Sequence, residues 1–181
     1  MSKTDDNKRI LLHTCCAPCA TGAVERLILE GCEVALFFSN SNISPESEYE
    51  KRLESARSLA KILNLPLEED IYDHDSWLSF VKGLEGEPER GARCGKCFKY
   101  SLKRTAEAAD RLNYPAFATT LTISPHKISK MIFDAGSEFP KYKPFDFKKK
   151  DGFKRSLELA RKHKLYRQNY CGCEFSAHQK S

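Results

Sequence analysis

The sequence predicts an α/β protein in which a parallel sheet is flanked by helices. Short apolar runs of strand length alternate with longer segments in which apolar residues recur at helical spacing. This alternation is typical of a parallel sheet covered on both faces. Seven of the eight cysteines fall into three tight groups, and the last group lies in a C-terminal segment, 139–176, that is also basic.

The individual elements follow from apolar runs, from turn residues between them, and from the glycine or proline at which a helix ends. The predicted strands are 9–13, 34–38, 67–72 and 116–121. The predicted helices are 19–30, 45–63, 75–84, 94–112, 124–133 and 152–164. Residues 1–8 are expected to be a flexible, frayed tail, and the aromatic, basic stretch 139–147 is expected to be extended. A chain of 181 residues predicts one domain, 1–181, with the 139–176 segment packed on the active site.

Composition narrows the classes of function. No apolar run approaches the length of a membrane span, and the polar start lacks a signal-peptide core, so we expect a cytoplasmic protein without a membrane partner. In that compartment clustered cysteines favour metal or redox chemistry over structural disulfides. Thirteen of the 30 Lys and Arg residues, but only five of the 25 Asp and Glu residues, lie between His126 and Arg167. This basic segment predicts either a nucleic-acid partner or a solvated basic face.

Two cysteine groups have the spacing of metal ligands. Cys15, Cys16 and Cys19 follow the first strand, where ligands bind in open α/β sheets. Cys94 and Cys97 form a C-x-x-C knuckle at the start of a helix. Adjacent cysteines bind two irons of one cluster more readily than a single ion, so we predict an iron–sulfur cluster on Cys15, Cys16, Cys94 and Cys97. Cys19 is the reserve ligand, which could replace one of the four or serve an additional metal.

The third group is Cys171-Gly172-Cys173. Sulfurs two residues apart can form a strained disulfide, and strained disulfides are the redox-active ones, although metal ligation by this pair stays open. Cys32 stands alone after Gly31 and is predicted to be an inert buried thiol.

Five segments together resemble the QueH family of epoxyqueuosine reductases. They are Leu-Leu-His-Thr-Cys-Cys-Ala-Pro-Cys at 11–19, Arg-Cys-Gly-Lys-Cys-Phe at 93–98, Thr-Thr-Leu-Thr-Ile-Ser-Pro-His-Lys at 119–127, Asp-Phe-Lys-Lys-Lys at 146–150 and Leu-Tyr-Arg-Gln-Asn-Tyr-Cys-Gly-Cys-Glu-Phe-Ser at 165–176. The resemblance implies a [4Fe–4S] oxidoreductase that completes queuosine, a modified guanosine at the tRNA wobble position. The enzyme would remove the epoxide oxygen of epoxyqueuosine with two electrons and release water.

The resemblance also implies a Rossmann-like fold similar to that of the nucleotide α-hydrolase group. Relatives in that group that bind ATP carry a Ser-Gly-Gly-x-Asp-Ser loop after the first strand. Residues 14–19 contain no glycine at that place, so no ATP is predicted.

Roles for individual residues follow from the matching motifs. Cys171 and Cys173 would deliver the electron pair as a catalytic dithiol, which an unidentified electron donor would restore. The residues predicted to contact tRNA are Lys148, Lys149, Lys150 and Arg167, with Lys154 and Arg155 beside them. Aromatic residues that could stack on anticodon-loop bases, or instead belong to the core, are Tyr142, Phe145 and Phe147. Candidate proton donors are His13, His126 and Tyr170, although a structural role is expected first for each histidine. A predicted helix start at Ser124-Pro125, next to His126 and Lys127, could hold a phosphate.

Three other functions remain open at this point. One is an RNA-binding module that is braced by a Cys₄ zinc site. Another is a tRNA sulfur-transfer enzyme with Cys171 or Cys173 as a persulfide carrier, and the last is a generic dithiol reductase. The identity of the metal separates the first of these from an iron–sulfur reductase.

Overall fold

The computed structural model describes residues 8–177, and its fold is Rossmann-like. The strands are β1 (Arg9–His13), β2 (Glu33–Phe38), β3 (Leu67–Glu69) and β4 (Ala116–Thr119). They form one parallel sheet in the order β3-β2-β1-β4. The helices are α1 (Ala17–Leu29), α2 (Glu46–Leu63), α3 (His74–Val81), α4 (Ala92–Arg111), α5 (Ser129–Gly136), α6 (Gly152–Lys162) and α7 (Glu174–Ala177), with a 3₁₀ helix at Thr120–Ile123. None of the helices in this part of the chain is long and apolar enough to cross a membrane.

Both faces of the sheet are buried, because successive residues of a strand point to opposite faces. On β1, Ile10 and Leu12 belong to a core that α1 covers. Leu11, between them, belongs to a second core that α4 and α5 cover. Because helices cover both faces of the sheet, Ile10, Leu11 and Leu12 each face a core, and together they form a continuous apolar run.

The chain order creates a switch point in the sheet. From β1 the chain moves outward to β2 and β3, and it then returns to the other side of β1 to form β4. Such a reversal leaves a crevice at the carboxyl ends of the two strands that flank it. A hydrogen-bonded contact links these two ends: the Cys15 N–H donates to Thr120 Oγ1 at 3.0 Å, and the Thr120 hydroxyl donates to the Cys15 sulfur at 3.2 Å.

Helix α6 brings part of the basic C-terminal segment against α1. Gly22 permits the close approach, since a Cβ at this position would lie 2.5 Å from Ser156 Oγ and 3.1 Å from the Gly152 carbonyl oxygen. A bidentate ion pair between Arg155 and Glu25, with distances of 2.7 and 2.8 Å, joins the exposed edges of the same two helices. This packing places the start of α6 beside the helix that carries Cys19.

Several predicted bounds are wrong. The third strand ends at Glu69 rather than at 72, and the fourth ends at Thr119 rather than at 121. The Thr119 hydroxyl accepts the Leu121 N–H at 3.1 Å, and this local bond turns the chain into the 3₁₀ helix. The helix predicted at 124–133 begins at Ser129, and Ser124 instead belongs to a turn. The predicted phosphate site at a helix start at Ser124 is therefore wrong.

The segment 139–147 is not a strand, and within it Tyr142 makes one isolated bridge to Phe117. At the other end of the chain, α1 begins two residues earlier than predicted. Cys16, with an extended backbone, occupies the N-cap position.

Candidate active site at the carboxyl edge of the sheet

Cys15, Cys16 and Cys19 form a compact thiol group at the switch point. Their sulfurs all lie within 4.8 Å of one another. The turn from β1 into α1 produces this cluster, because Cys15 follows the strand, Cys16 caps the helix and Cys19 lies in its first turn. Within residues 8–177, no other three Cys, His, Asp or Glu side chains come together in this way. Three sulfurs at this spacing can ligate a shared metal centre.

The hydrogen bonds within this group favour a thiolate at Cys15 and neutral thiols at Cys16 and Cys19. Hydrogen bonds from Cys16 and Cys19 lower the pKa of Cys15 well below its usual value, and the charge of Lys127 assists. The same interaction with Cys15 raises the pKa of Cys16 to about 12 and raises the pKa of Cys19. A metal cation would allow all three to ionise, as thiolate ligation requires.

Cys94 and Cys97 lie at the start of α4, as the C-x-x-C spacing predicts. Burial, followed by the charge of Cys171, raises the pKa of Cys97. Burial is also the main cause of the raised pKa of Cys94, whose sulfur accepts the Arg90 N–H at 3.2 Å. Helix α4 thus presents two thiols close to the third cysteine group.

Trp77 of α3 packs against this second group. Its side chain is fully buried and forms a small core with Val81 and Cys173, against which Cys97 packs. Cys171 and Cys173 are both free thiols.

One cavity of about 430 Å³ brings the three cysteine groups together. Cys15 and Cys19 line it from the first group, Cys97 from the second and Cys171 from the third. Its volume lies within the range of small-molecule sites. The predicted cluster ligands Cys16 and Cys94 do not line this cavity: Cys16 is buried within the compact thiol group, and Cys94 lines a small adjoining pocket together with Cys171. The ligand set Cys15, Cys16, Cys94 and Cys97 stays a prediction. Cys19 is predicted only as a reserve ligand, but its sulfur lies within 4.8 Å of those of Cys15 and Cys16.

Lys127 adds a buried positive charge to this cavity. Burial alone would lower the pKa of this lysine, but its interactions with the sulfurs of Cys171, Cys15, Cys19 and Cys16 raise the pKa overall. Lys127 is therefore charged and lies among sulfurs of two different groups. The helix start predicted beside Lys127 is absent, so the predicted phosphate site has no helix N-terminus at this place.

The candidate proton donors have different environments. His13 is fully buried and uses both ring nitrogens, with Nδ1 2.8 Å from Thr119 Oγ1 and Nε2 3.0 Å from the Ser39 carbonyl oxygen. Burial lowers its pKa, so His13 is a neutral brace between the ends of three strands. His126 and Tyr170 line the cavity.

Comparison with known proteins identifies the family. Residues 10–179 match the family model described as Epoxyqueuosine reductase QueH. The chain belongs to the QueH family of epoxyqueuosine reductases. A curated protein of that name from Streptococcus pyogenes serotype M1 is 42% identical over 93% of this chain and 70% of its own length. Those from Acinetobacter baylyi and Thermotoga maritima are 37% and 34% identical, over 95% and 92% of this chain and 82% and 89% of their own lengths.

The family assignment confirms the resemblance that the five segments suggest. It also makes the chain an enzyme, which the alternative of a zinc-braced binding module does not fit. QueH relatives are reductases by name, so the sulfur-transfer alternative loses support as well.

The basic residues of this QueH chain fall into two groups. Lys149, Lys150 and Arg167 are exposed, and Arg167 lies at the cavity. By contrast, Lys148 donates to the Lys127 carbonyl oxygen at 2.7 Å, and Arg155 is held by Glu25. Glu25 therefore neutralises the charge of Arg155, whereas the bond of Lys148 to a neutral carbonyl leaves its charge available to an anionic polymer.

Two of the predicted stacking residues belong to the core. Tyr142 is 8% exposed and Phe147 is 1% exposed. Phe145 is partly buried and stacks on Phe147, with ring centroids 5.4 Å apart. Stacking of tRNA bases on Tyr142 or Phe147 is wrong, because these side chains fill the protein interior.

The sequence reasoning missed Arg52 and Asn40, which also line the cavity. Arg52 lies on the buried side of α2 beside Tyr49 and Leu53, two residues that mark the inner face of the predicted helix. An arginine on that buried face could have been recognised from the sequence as a residue with a specific partner, since buried charges are rare without one. Asn40 donates to the Thr14 carbonyl oxygen at 2.9 Å and so ties the end of β2 to the cysteine turn.

Proposed function

We propose that this protein reduces the epoxide of epoxyqueuosine in tRNA to queuosine, the last step in forming that nucleoside. The observation that carries the proposal is the single cavity on which Cys15, Cys19, Cys97 and Cys171 converge from three distant segments. Membership in the QueH family supports the reaction and the substrate.

An iron–sulfur cofactor fits the donor set. Three sulfurs within 4.8 Å of one another, with Cys97 of the C-x-x-C pair on the same cavity and Cys94 in the small adjoining pocket, offer the thiolates that a [4Fe–4S] cluster needs. Cys15, Cys16, Cys94 and Cys97 would hold the cluster, and Cys19 would serve an additional iron or replace one ligand. Such a centre supplies electron relay and Lewis-acid stabilisation of a developing alkoxide.

The chain's own residues account for the electron balance. Two thiols, at Cys171 and Cys173, would close to a disulfide and release two electrons and two protons. The epoxide takes up both, so that its two C–O bonds are replaced by a C=C bond and the oxygen leaves as water. An unidentified donor would then reduce the disulfide again. Lys127, which lines the cavity, would hold positive charge beside the oxygen that leaves.

The tRNA would be held by its anticodon loop. Lys148, Lys149, Lys150 and Arg167 would contact phosphates next to the cavity mouth, because cations of this kind position nucleic acids without reading their sequence. The modified base would then enter the cavity.

The test is anaerobic reduction of tRNA that carries epoxyqueuosine, followed by mass spectrometry of the released nucleosides. We expect conversion to queuosine by protein that contains about four irons per chain, the number in a [4Fe–4S] cluster. The Cys94→Ser variant should lose iron, whereas Cys32→Ser, at the lone cysteine remote from the cavity, should keep it. Colourless, zinc-loaded wild-type protein that is inactive on this tRNA would overturn the proposal.

Cys171→Ser separates the dithiol from the metal centre. It should abolish turnover, because a lone thiol cannot close the disulfide, but it should retain the iron content and the visible absorbance of the wild type. Cys32→Ser again serves as the control and should keep both activity and iron. Loss of iron from Cys171→Ser would instead make this residue a metal ligand.

A further inference from the structure

We infer that Arg52 is a positioning residue that fixes the turn carrying Cys171 and Cys173. Arg52 lies in α2 and is only 2% exposed. Its Nη1 donates to the Cys171 carbonyl oxygen at 2.8 Å, and its Nη2 donates to the Tyr170 carbonyl oxygen at 3.4 Å. One rigid guanidinium group therefore holds two successive main-chain carbonyls. This inference rests on the proposed redox role of the cysteine pair.

Glu48 orients the guanidinium group. The Nε of Arg52 lies 2.7 Å from Glu48 Oε1, and both side chains are buried. The Tyr166 hydroxyl donates to the other carboxylate oxygen of Glu48 at 2.9 Å. With Nε bound to the carboxylate, the planar fork of Arg52 directs Nη1 and Nη2 at the turn. A lysine at this position could not make the same set of bonds.

Gly172 adapts the turn to this arrangement. Its φ of 104° lies in the region that favours glycine, and a Cβ here would lie 3.0 Å from both Nη atoms of Arg52. The Gly172 carbonyl oxygen accepts the Ser44 N–H at 2.9 Å. Three consecutive carbonyls, of residues 170 to 172, are thus bound to donors from the segment around α2.

The consequence concerns the thiol–disulfide equilibrium of the pair. Closing the disulfide joins the two sulfurs and releases two electrons and two protons, and it proceeds more readily when the backbone already holds the sulfurs together. Release of the turn lowers the effective concentration of one sulfur at the other. We expect Arg52→Gln to shift the equilibrium constant toward the dithiol by about tenfold, or about 30 mV for this two-electron couple.

The experiment uses full-length protein that is equilibrated anaerobically in glutathione buffers of stepped redox potential. Alkylation and tryptic digestion then yield the peptide 168–180, which contains Cys171 and Cys173 and no other cysteine. Its mass distinguishes dithiol from disulfide at each potential. Arg57→Gln is the matched control, because Arg57 lies on the same helix but pairs with Glu54 and Glu69 at the surface.

The expected result is a tenfold shift for Arg52→Gln and none for Arg57→Gln. Equal equilibrium constants for Arg52→Gln and the wild type would overturn the inference and leave the redox role intact. If the wild-type peptide forms no disulfide at any potential, the proposed redox role fails, and the inference fails with it.

A milder variant decides the matter if Arg52→Gln does not fold. Tyr166→Phe removes only the hydroxyl that binds Glu48, on a side chain that is 39% exposed. A smaller shift in the same direction would support the inference, and an unchanged equilibrium constant would overturn it. The Gly172→Ala variant adds a second check, because its effect and that of Arg52→Gln should not be additive if both act on one turn.

Discussion

In the proposed reaction, Lys127 would provide the positive charge that the cysteines cannot. Its ammonium group is buried among the thiols of two groups, and their charges outweigh the burial that would otherwise neutralise it. A fixed cation at this point would stabilise the negative charge that develops on the oxygen leaving the substrate. Loss of one such electrostatic group typically lowers kcat by about 10²–10³-fold.

The prediction for Lys127→Met is a fall in kcat within that range, at unchanged iron content. Steady-state formation of queuosine at saturating tRNA measures kcat. Lys130→Met is the control, since this lysine is 81% exposed and pairs with Asp134. An unchanged kcat with weaker tRNA binding would instead show that Lys127 holds a phosphate.

At this scale the sequence predicts the cysteines and misses their neighbours. Spacings such as C-x-x-C and C-x-C are local, so their chemistry can be predicted without a fold. Arg52 binds main-chain carbonyls about 119 positions away. Because every residue has a main-chain carbonyl, the sequence does not indicate which of them a distant arginine binds. Lys127 stands inside a matching motif, but its role depends on a turn that residue propensities do not define.

At the scale of secondary-structure elements, the packing of α1 against α6 brings the basic segment to the cavity. Gly22 lies at the contact, where a methyl group would meet the Ser156 hydroxyl and the Gly152 carbonyl. Overfilling a close contact costs about 1–3 kcal/mol. For a chain of this size each kcal/mol lowers Tm by about 2–4 °C.

We therefore expect Gly22→Ala to lower Tm by several degrees, as calorimetry or thermal circular dichroism would measure. Gly86→Ala is the matched control, because a Cβ at Gly86 meets nothing within 4 Å. Equal melting temperatures for the two variants would mean that the Ser156 side chain can move aside without cost.

Predicted elements are most accurate where burial dominates and least accurate where polar side chains bind the nearby backbone. Strands β1 and β2 and helix α2 nearly match their predicted bounds, because their apolar patterns are long and uninterrupted. The stretch 119–128 does not match. Its threonine and serine hydroxyls bind neighbouring backbone groups, such as the Leu121 N–H, and replace strand and helix with a 3₁₀ helix and a turn.

At the scale of the whole molecule, cavity-lining residues from 15 to 171 meet at one end of the sheet. The parallel sheet begins this convergence, because parallel strands bring all their carboxyl ends to one edge. The sequence predicts the edge, but the arrangement of the seven clustered cysteines around it also requires the packing of α3, α4 and the C-terminal segment. The boundaries of a single domain at 1–181 stay a prediction.

The basic face belongs to the same scale. Replacing Lys148, Lys149 and Lys150 by glutamine should weaken tRNA binding and flatten its salt dependence. Each lost phosphate contact reduces the slope of log K against log salt by about 0.7–0.9. Titrations at several salt concentrations give this slope, and replacing the exposed lysines Lys51, Lys61 and Lys82 provides a control with the same change in net charge. An unchanged slope would mean that the three lysines are exposed to solvent and do not contact the tRNA phosphates.

Trp77 is an intrinsic fluorescence probe of the interior near the cysteines. It is the chain's only tryptophan, and it lies fully buried in a cluster with Cys173, against which Cys97 packs. Indole emission is quenched by coloured metal centres and by sulfur in contact with the ring. The ultraviolet fluorescence of the unlabelled protein should therefore dim when iron is loaded and recover when it is chelated, so that occupancy can be followed in real time without any introduced dye.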